Sequence, residues 1–158
     1  SFTFGNHQAE LINPKPSFQG PGLIAPGPEG AVFNPRSLDM AAGVAWMLEL
    51  KIQEGQGGNL PALIEEMVSA TEQTEPGTLD YQWSTSADGT TCHIFERYTD
   101  SAAVMAHLAN FGEKFAGRFM EILAPTSFVV YGSPSQEVKD ALSAFGVTYM
   151  DSAGGFSR

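Results

Sequence analysis

From Val44 onward, apolar and polar residues follow two distinct periods. Val44, Trp46, Leu48, Leu50 and Ile52 recur at every second position with Glu49 and Lys51 between them, which predicts a strand with one buried face. The run Glu54-Gly-Gln-Gly-Gly58 ends it. Leu60, Leu63, Ile64, Met67 and Val68 then take helical spacing, so one stripe faces a core. Asn59 is placed to cap this helix, Pro61 sits in its first turn, where a missing N–H costs nothing, and Pro76-Gly77 stops it.

Segments 78–87 and 90–99 flank Asp88-Gly89, the preferred pair for a two-residue type I′ hairpin. Such a turn sets Trp83 opposite Ile94, Tyr81 opposite Glu96 and Asp80 opposite Arg97. One face then carries Leu79, Tyr81, Trp83, Cys92, Ile94, Glu96 and Tyr98, which makes it the core side with a carboxylate on it. The other carries His93, Phe95 and Arg97. Asp100 caps a following helix whose stripe runs through Val104, Leu108, Phe111, Phe115, Phe119 and Ile122, with Gly112 marking a break in two. Residues 127–131 read as a nearly all-apolar strand. A short helix follows over 135–145, with Val138, Leu142 and Phe145 on one side, and 147–150 form a terminal strand.

The order β-α-β-β-α-β, then α-β, is that of an α+β, ferredoxin-like βαββαβ fold with a C-terminal αβ extension. Helices cover one face of a four-stranded antiparallel sheet. Met47 and Phe95 lie on the other face, and a second copy is the economical cover, so a homodimer is expected. Residues 1–43 read differently. Pro14, Pro16, Pro21, Pro26, Pro28 and Pro35 alternate with glycines, which disfavours helix and sheet, yet Phe2, Phe4, Phe18 and Phe33 are too apolar for a solvated tail. An extended N-terminal arm over 1–43, lying across a surface, and a domain over 44–158 are expected.

A net charge of −10 with only eight scattered basic residues argues against nucleic acid and anionic membranes, which need clustered Lys and Arg. No apolar run approaches the roughly 20 residues of a spanning helix. The single cysteine, Cys92, excludes an intrachain disulfide framework and fits a reducing, cytoplasmic setting. The start of the chain shows neither a basic segment nor an apolar one of the kind that opens a signal peptide. The three histidines and the cysteine lack zinc spacing, so no metal site is expected. Gly112 to Phe119 mimics a phosphate loop but has Arg118-Phe119 where Lys-Ser/Thr is required, and no Gly-x-Ser-x-Gly elbow exists.

The segments Glu75-Pro-Gly-Thr-Leu-Asp-Tyr81, His93-Ile-Phe-Glu96-Arg-Tyr98-Thr-Asp100 and Val104-Met-Ala-His107 resemble the antibiotic biosynthesis monooxygenase family, over roughly residues 44 to 132. The resemblance implies a dimeric α+β barrel with a pocket between sheet and helices. In some members that pocket oxidises quinols or polycyclic phenols with molecular oxygen and no metal or flavin. Relatives of the fold degrade haem with a first-strand Asn and a later helical His. Here strand one offers Glu49 and no His follows His107, which disfavours that chemistry.

Glu96 is the most suggestive residue. A carboxylate on an apolar sheet face has a raised pKa unless it is paired, and a base of tuned pKa can turn a phenol into the electron-rich phenolate that oxygenation requires. It could equally pair with His107 or an Arg and order the fold. His107 lies one position off its helix stripe and could relay a proton. Tyr81, Trp83, Tyr98 and Phe111 would wall a site for a flat aromatic molecule, or serve as plain core. The leading expectation is therefore a cofactor-independent monooxygenase acting on a quinol or other phenol, with Glu96 and His107 catalytic. The rival is a non-catalytic ligand-binding or interaction module, with haem binding third. A cavity of roughly 300 Å³ or more beside Glu96 favours the enzyme, and a packed interior favours the module.

Overall fold

The computed structural model describes residues 43–156, so all but the last residue of the expected arm lies outside the described residues. Strand β1 (Val44–Ile52) leads through a turn to helix α1 (Leu60–Thr74). The hairpin β2 (Thr78–Thr85) and β3 (Thr91–Tyr98) follows, then helices α2 (Ser101–Lys114) and α3 (Ala116–Ile122) and strand β4 (Leu123–Gly132). A short helix α4 (Gln136–Ala141), a 3-10 turn (Ser143–Phe145) and strand β5 (Thr148–Met150) complete the fold. The strand order is β2-β3-β1-β4-β5, ferredoxin-like through its first four members. The fifth strand, whose position the pattern left open, pairs in parallel with β4 and makes the sheet mixed.

The helices share one sheet face. Leu60, Leu63 and Met67 of α1 pack on Leu50, Cys92 and Ile94, together with Phe115, Phe119 and Ile122. A second cluster joins Val44, Trp46, Tyr98 and Val104 to Val130 and to Val138 and Leu142 of the C-terminal extension. Asp100 caps α2 as expected, its carboxylate accepting from the Ala103 N–H. Asn59 occupies the cap position of α1 but donates its side-chain amide to Gln56 instead. On the opposite sheet face Met47 and Phe95 are half-buried, and Tyr131 and Met150 are exposed.

Several local expectations are corrected. The hairpin keeps the expected register, with Trp83 opposite Ile94 and Tyr81 opposite Glu96, but its turn is not the two-residue type. The Gly89 N–H donates to Ser86 O and the Ser86 N–H to Thr91 O, so the loop spans four residues centred on the same Asp88-Gly89 pair. The Asp88 carboxylate, accepting from Ser86, Thr90 N–H and Thr90 hydroxyl, fastens that wider loop. Leu79 is not on the core face: a bulge between Thr78 and Asp80 leaves it unpaired and 47% exposed, and turns Thr78 towards the inside opposite Tyr98.

The helical break falls at Phe115, not Gly112, because Gly112 sits on an exposed turn while Phe111 and Phe115 pack inward on either side. β4 begins four residues earlier than 127, at Leu123. A bulge that pairs Leu50 with Pro125 and Glu49 with Ser127 absorbs the missing proline N–H, and the free Thr126 hydroxyl donates to Glu49 O. The helix expected over 135–145 ends at Ala141, since its last turn tightens into the 3-10 segment capped by left-handed Gly146. Phe145 is thereby swung out and is 49% exposed.

Candidate active site

Three neighbouring strands bring the polar groups together. Register places Trp46 and Tyr81 on either side of Glu96, all on the helix-covered face. Alternation then puts Tyr98 two residues along β3, and its phenol donates a short hydrogen bond to a Glu96 carboxylate oxygen. From above, α2 lowers His107 onto the same carboxylate, with Nε2 3.2 Å from Glu96 Oε2. Glu96 is 3% exposed and His107 5%.

The other face of the imidazole meets a residue that the sequence pattern did not single out as a site. Glu75 follows the last residue of α1, where its N–H donates to Thr71 O. The Pro76-Gly77 step then passes so close to α2 that a Cβ on Gly77 would lie 2.5 Å from the Ala103 Cβ. That tight passage tucks the Glu75 side chain beneath His107, whose Nδ1 lies 2.7 Å from Glu75 Oε2. Asn110 donates to Glu75 at 3.0 Å, and the Thr78 hydroxyl, turned inward by the β2 bulge, donates at 3.1 Å. A buried chain therefore runs Glu75–His107–Glu96–Tyr98.

Its charges follow from these contacts. Burial pushes the Glu75 carboxyl up, but hydrogen bonding and attraction from His107, with Asn110 and Thr78, outweigh it and hold the group below its ordinary value. Burial depresses the His107 imidazolium, yet the Glu75 hydrogen bond and the charges of Glu96 and Glu75 leave it raised. For Glu96 burial wins over His107, Tyr98 and Trp46, and its carboxyl is raised. Burial, reinforced by Glu96, also drives the Tyr81 and Tyr98 phenols upward, so both stay neutral. Glu75 and His107 thus favour each other's charged forms. Glu96 is the group poised to exchange a proton.

A cavity of about 80 Å³ opens beside Glu96 and His107. Trp46, Leu48, Tyr81, Phe111, Phe119 and Phe128 are among its apolar walls, and exposed Met120 and Phe145 stand at its rim. This is several times the roughly 10–15 Å³ that one water needs, but less than the roughly 300 Å³ of a drug-sized ligand site. Of the four expected wall residues, Tyr81 and Phe111 line the cavity. Tyr98 instead lies beneath Glu96, its ring 4.8 Å from that of Trp46, and Trp83 packs edge-on to Tyr81 and Phe119. Trp46 and Glu75 were the residues missed as site members. The first read as plain core, whereas the second stood in the Glu75-Pro-Gly step that the resemblance already marked. Arg97 and Asp80 form a partly exposed cross-strand pair away from the cavity.

The family model of antibiotic biosynthesis monooxygenases matches residues 44–112, the span that holds Glu75, Glu96 and His107. No curated protein sequence matches the chain. Among solved structures, MupZ from Pseudomonas fluorescens is 22% identical with a TM-score of 0.66, over 74% of this chain and 95% of MupZ. SnoaB from Streptomyces nogalater, a cofactor-independent oxygenase, is 13% identical with a TM-score of 0.51, over 61% and 97% of the two chains. A conserved protein from Methanosarcina mazei Go1 is 13% identical with a TM-score of 0.53, over 61% and 98%. At these identities the likeness bears on the fold alone. Among the described residues no helix is long and apolar enough to cross a membrane.

Proposed function

We propose that the domain is a monooxygenase that oxidises an electron-rich phenol or quinol with molecular oxygen, drawing the electrons from the substrate itself. One observation carries the reading: a buried carboxylate of raised pKa stands at the polar end of an otherwise apolar cavity, in contact with an imidazole. A phenol entering ring-first would be desolvated by the aromatic walls and present its hydroxyl to Glu96. Proton transfer to Glu96 leaves a phenolate able to reduce oxygen. One oxygen atom then replaces a ring hydrogen as a carbonyl and the other leaves as water, so phenol plus O₂ gives quinone plus water with no outside reductant. His107, held by Glu75, faces Glu96 through Nε2 and can give a proton back across that contact. The match of residues 44–112 to the monooxygenase family model and the cofactor-independent chemistry of SnoaB support the same reading.

We further propose a homodimer across the open sheet face, where Met47, Phe95, Val129 and Tyr131 would otherwise meet water. The small cavity favours a second reading, a binding module whose interior is filled by its own side chains. Aerobic incubation with a panel of quinols and phenols separates the two, with oxygen uptake and quinone absorbance followed together. The enzyme consumes one O₂ per quinone formed, and Glu96→Gln slows it by about 10²–10⁴-fold. A parent that takes up no oxygen with any of them, or a Glu96→Gln variant as fast as the parent, refutes the proposal.

A further inference from the structure

Beside Glu96 the cavity holds one buried donor that makes no hydrogen bond of full geometry to a described residue. Trp46 is 2% exposed, and its indole N–H leans towards the Glu96 carboxylate and favours its charged form without closing a full hydrogen bond. A buried donor so weakly paired gains from a better acceptor that enters with a ligand. Trp46 stands directly across the ladder from Glu96, and both line the cavity. Packing fixes the indole ring: it lies tilted against Tyr98 with centroids 4.8 Å apart, and edge-on to Phe128 at 5.4 Å. The Trp83 N–H likewise lacks a full hydrogen bond, but it leans on Tyr81, and Trp83 does not line the cavity and carries no such argument.

We propose that Trp46 is a further catalytic residue, its indole N–H donating to the oxygen of the bound phenol while that oxygen's own proton passes to Glu96. The assignment rests on the phenol-oxidising reading above. In this step the phenol O–H bond breaks and the proton joins a carboxylate oxygen of Glu96. The bonding pair stays on the phenol oxygen, where the indole N–H meets the new negative charge, and no electron leaves the substrate. A neutral donor fixed by packing suits this task, since it needs no rearrangement as charge develops. The same geometry selects the ligand. Its oxygen must donate on one side and accept on the other, which a hydroxyl does and an ether does not.

The test uses the full chain and 4-nitrophenol, whose phenolate absorbs visible light, so ionisation is read without turnover. Two variants remove the donor: Trp46→Phe, and replacement of Trp46 by its benzothiophene analogue, which keeps the ring shape and exchanges N–H for sulfur. Parent protein should bind 4-nitrophenol and lower the pH at which it ionises, and should bind 4-nitroanisole far more weakly. Loss of the N–H should raise the ionisation pH of the bound phenol by about one to two units, a 10–100-fold change in the ionised ratio. The rise should persist in a Glu96→Gln background, where Glu96 cannot mediate it. Unchanged ionisation with the benzothiophene analogue, or a rise that vanishes in that background, overturns the role of Trp46 and leaves Glu96 as base. Absence of 4-nitrophenol binding to the parent overturns the phenol reading, and Trp46 with it.

Discussion

Replacing Glu75 by Gln removes one negative charge from beneath a buried imidazole while keeping the shape of the side chain. The two groups are 7% and 5% exposed and 2.7 Å apart. Deleting one partner of a buried ion pair costs about 3–5 kcal/mol, and the Gln carbonyl can still accept from Nδ1–H, so a loss of about 2–3 kcal/mol is expected. Domains of this kind are stable by roughly 5–15 kcal/mol, so the change is large. It also has a pH signature. His107 is raised by folding, so its contribution is fully present below its ordinary value of 6.5 and is lost as pH rises through the higher folded value. Glu75 is lowered, so its contribution is present above its ordinary 4.5 and is lost as pH falls through the lower folded value. The pair is therefore complete between those two ordinary values, and the deficit of Glu75→Gln should be largest there. Glu96 runs the other way: raised by burial, it charges at a cost as pH climbs from 4.5 through its folded value. Because Glu96 is present in both proteins, its burial cost cancels in the difference, which leaves the Glu75–His107 pair and the smaller repulsion between Glu75 and Glu96. Urea unfolding at about pH 5.5 and about pH 9, with slopes compared, measures it. A deficit under about 1 kcal/mol at the lower pH, or an equal deficit at both, would refute the reasoning.

Three further outcomes are expected. Gly132 has φ +90°, and a Cβ there would stand 2.3 Å from Gly43 O, so Gly132→Ala should cost about 2–4 kcal/mol by thermal or urea melting, and a loss under about 1 kcal/mol would contradict this. Phe95→Glu, placing a charge on the open sheet face, should convert a dimer to monomers in analytical ultracentrifugation, and a parent already monomeric at micromolar concentration would rule out the dimer. Cys92 is 0% exposed and burial pushes its thiol up to about 11, so it should resist thiol reagents in the native protein and react fully once unfolded.

Much of this arrangement was legible in the chain because short-range rules govern it. The pairing of Tyr81 with Glu96 depends only on where the hairpin is centred, and a four-residue loop centred on Asp88-Gly89 keeps the register that a two-residue one would set. The stripe of Val104 and Leu108 likewise orients His107 by helical phase alone. What stayed hidden depends on packing. Glu75 reaches His107 across 32 residues, through a close approach of two elements that no local period encodes. Leu79 obeyed alternation until a bulge removed it from the ladder. The cavity volume is the small remainder after large side chains have filled a space, so composition could not supply it. Trp46 was placed on the correct face, but how weakly its indole N–H is satisfied becomes visible only once every neighbour is in position.

The cavity has a divided origin. Its carboxylate and imidazole come from residues within 44–112, whereas Phe119, Met120, Pro125, Phe128, Leu142 and Phe145 are contributed from beyond that span. Every one of these later contributors is uncharged and mostly hydrocarbon, and Met120 and Phe145 meet solvent. Bulk can therefore be added or pared away at the entrance without disturbing the groups that handle protons. Size selection and acid–base chemistry are in that sense separately adjustable properties of a single chain.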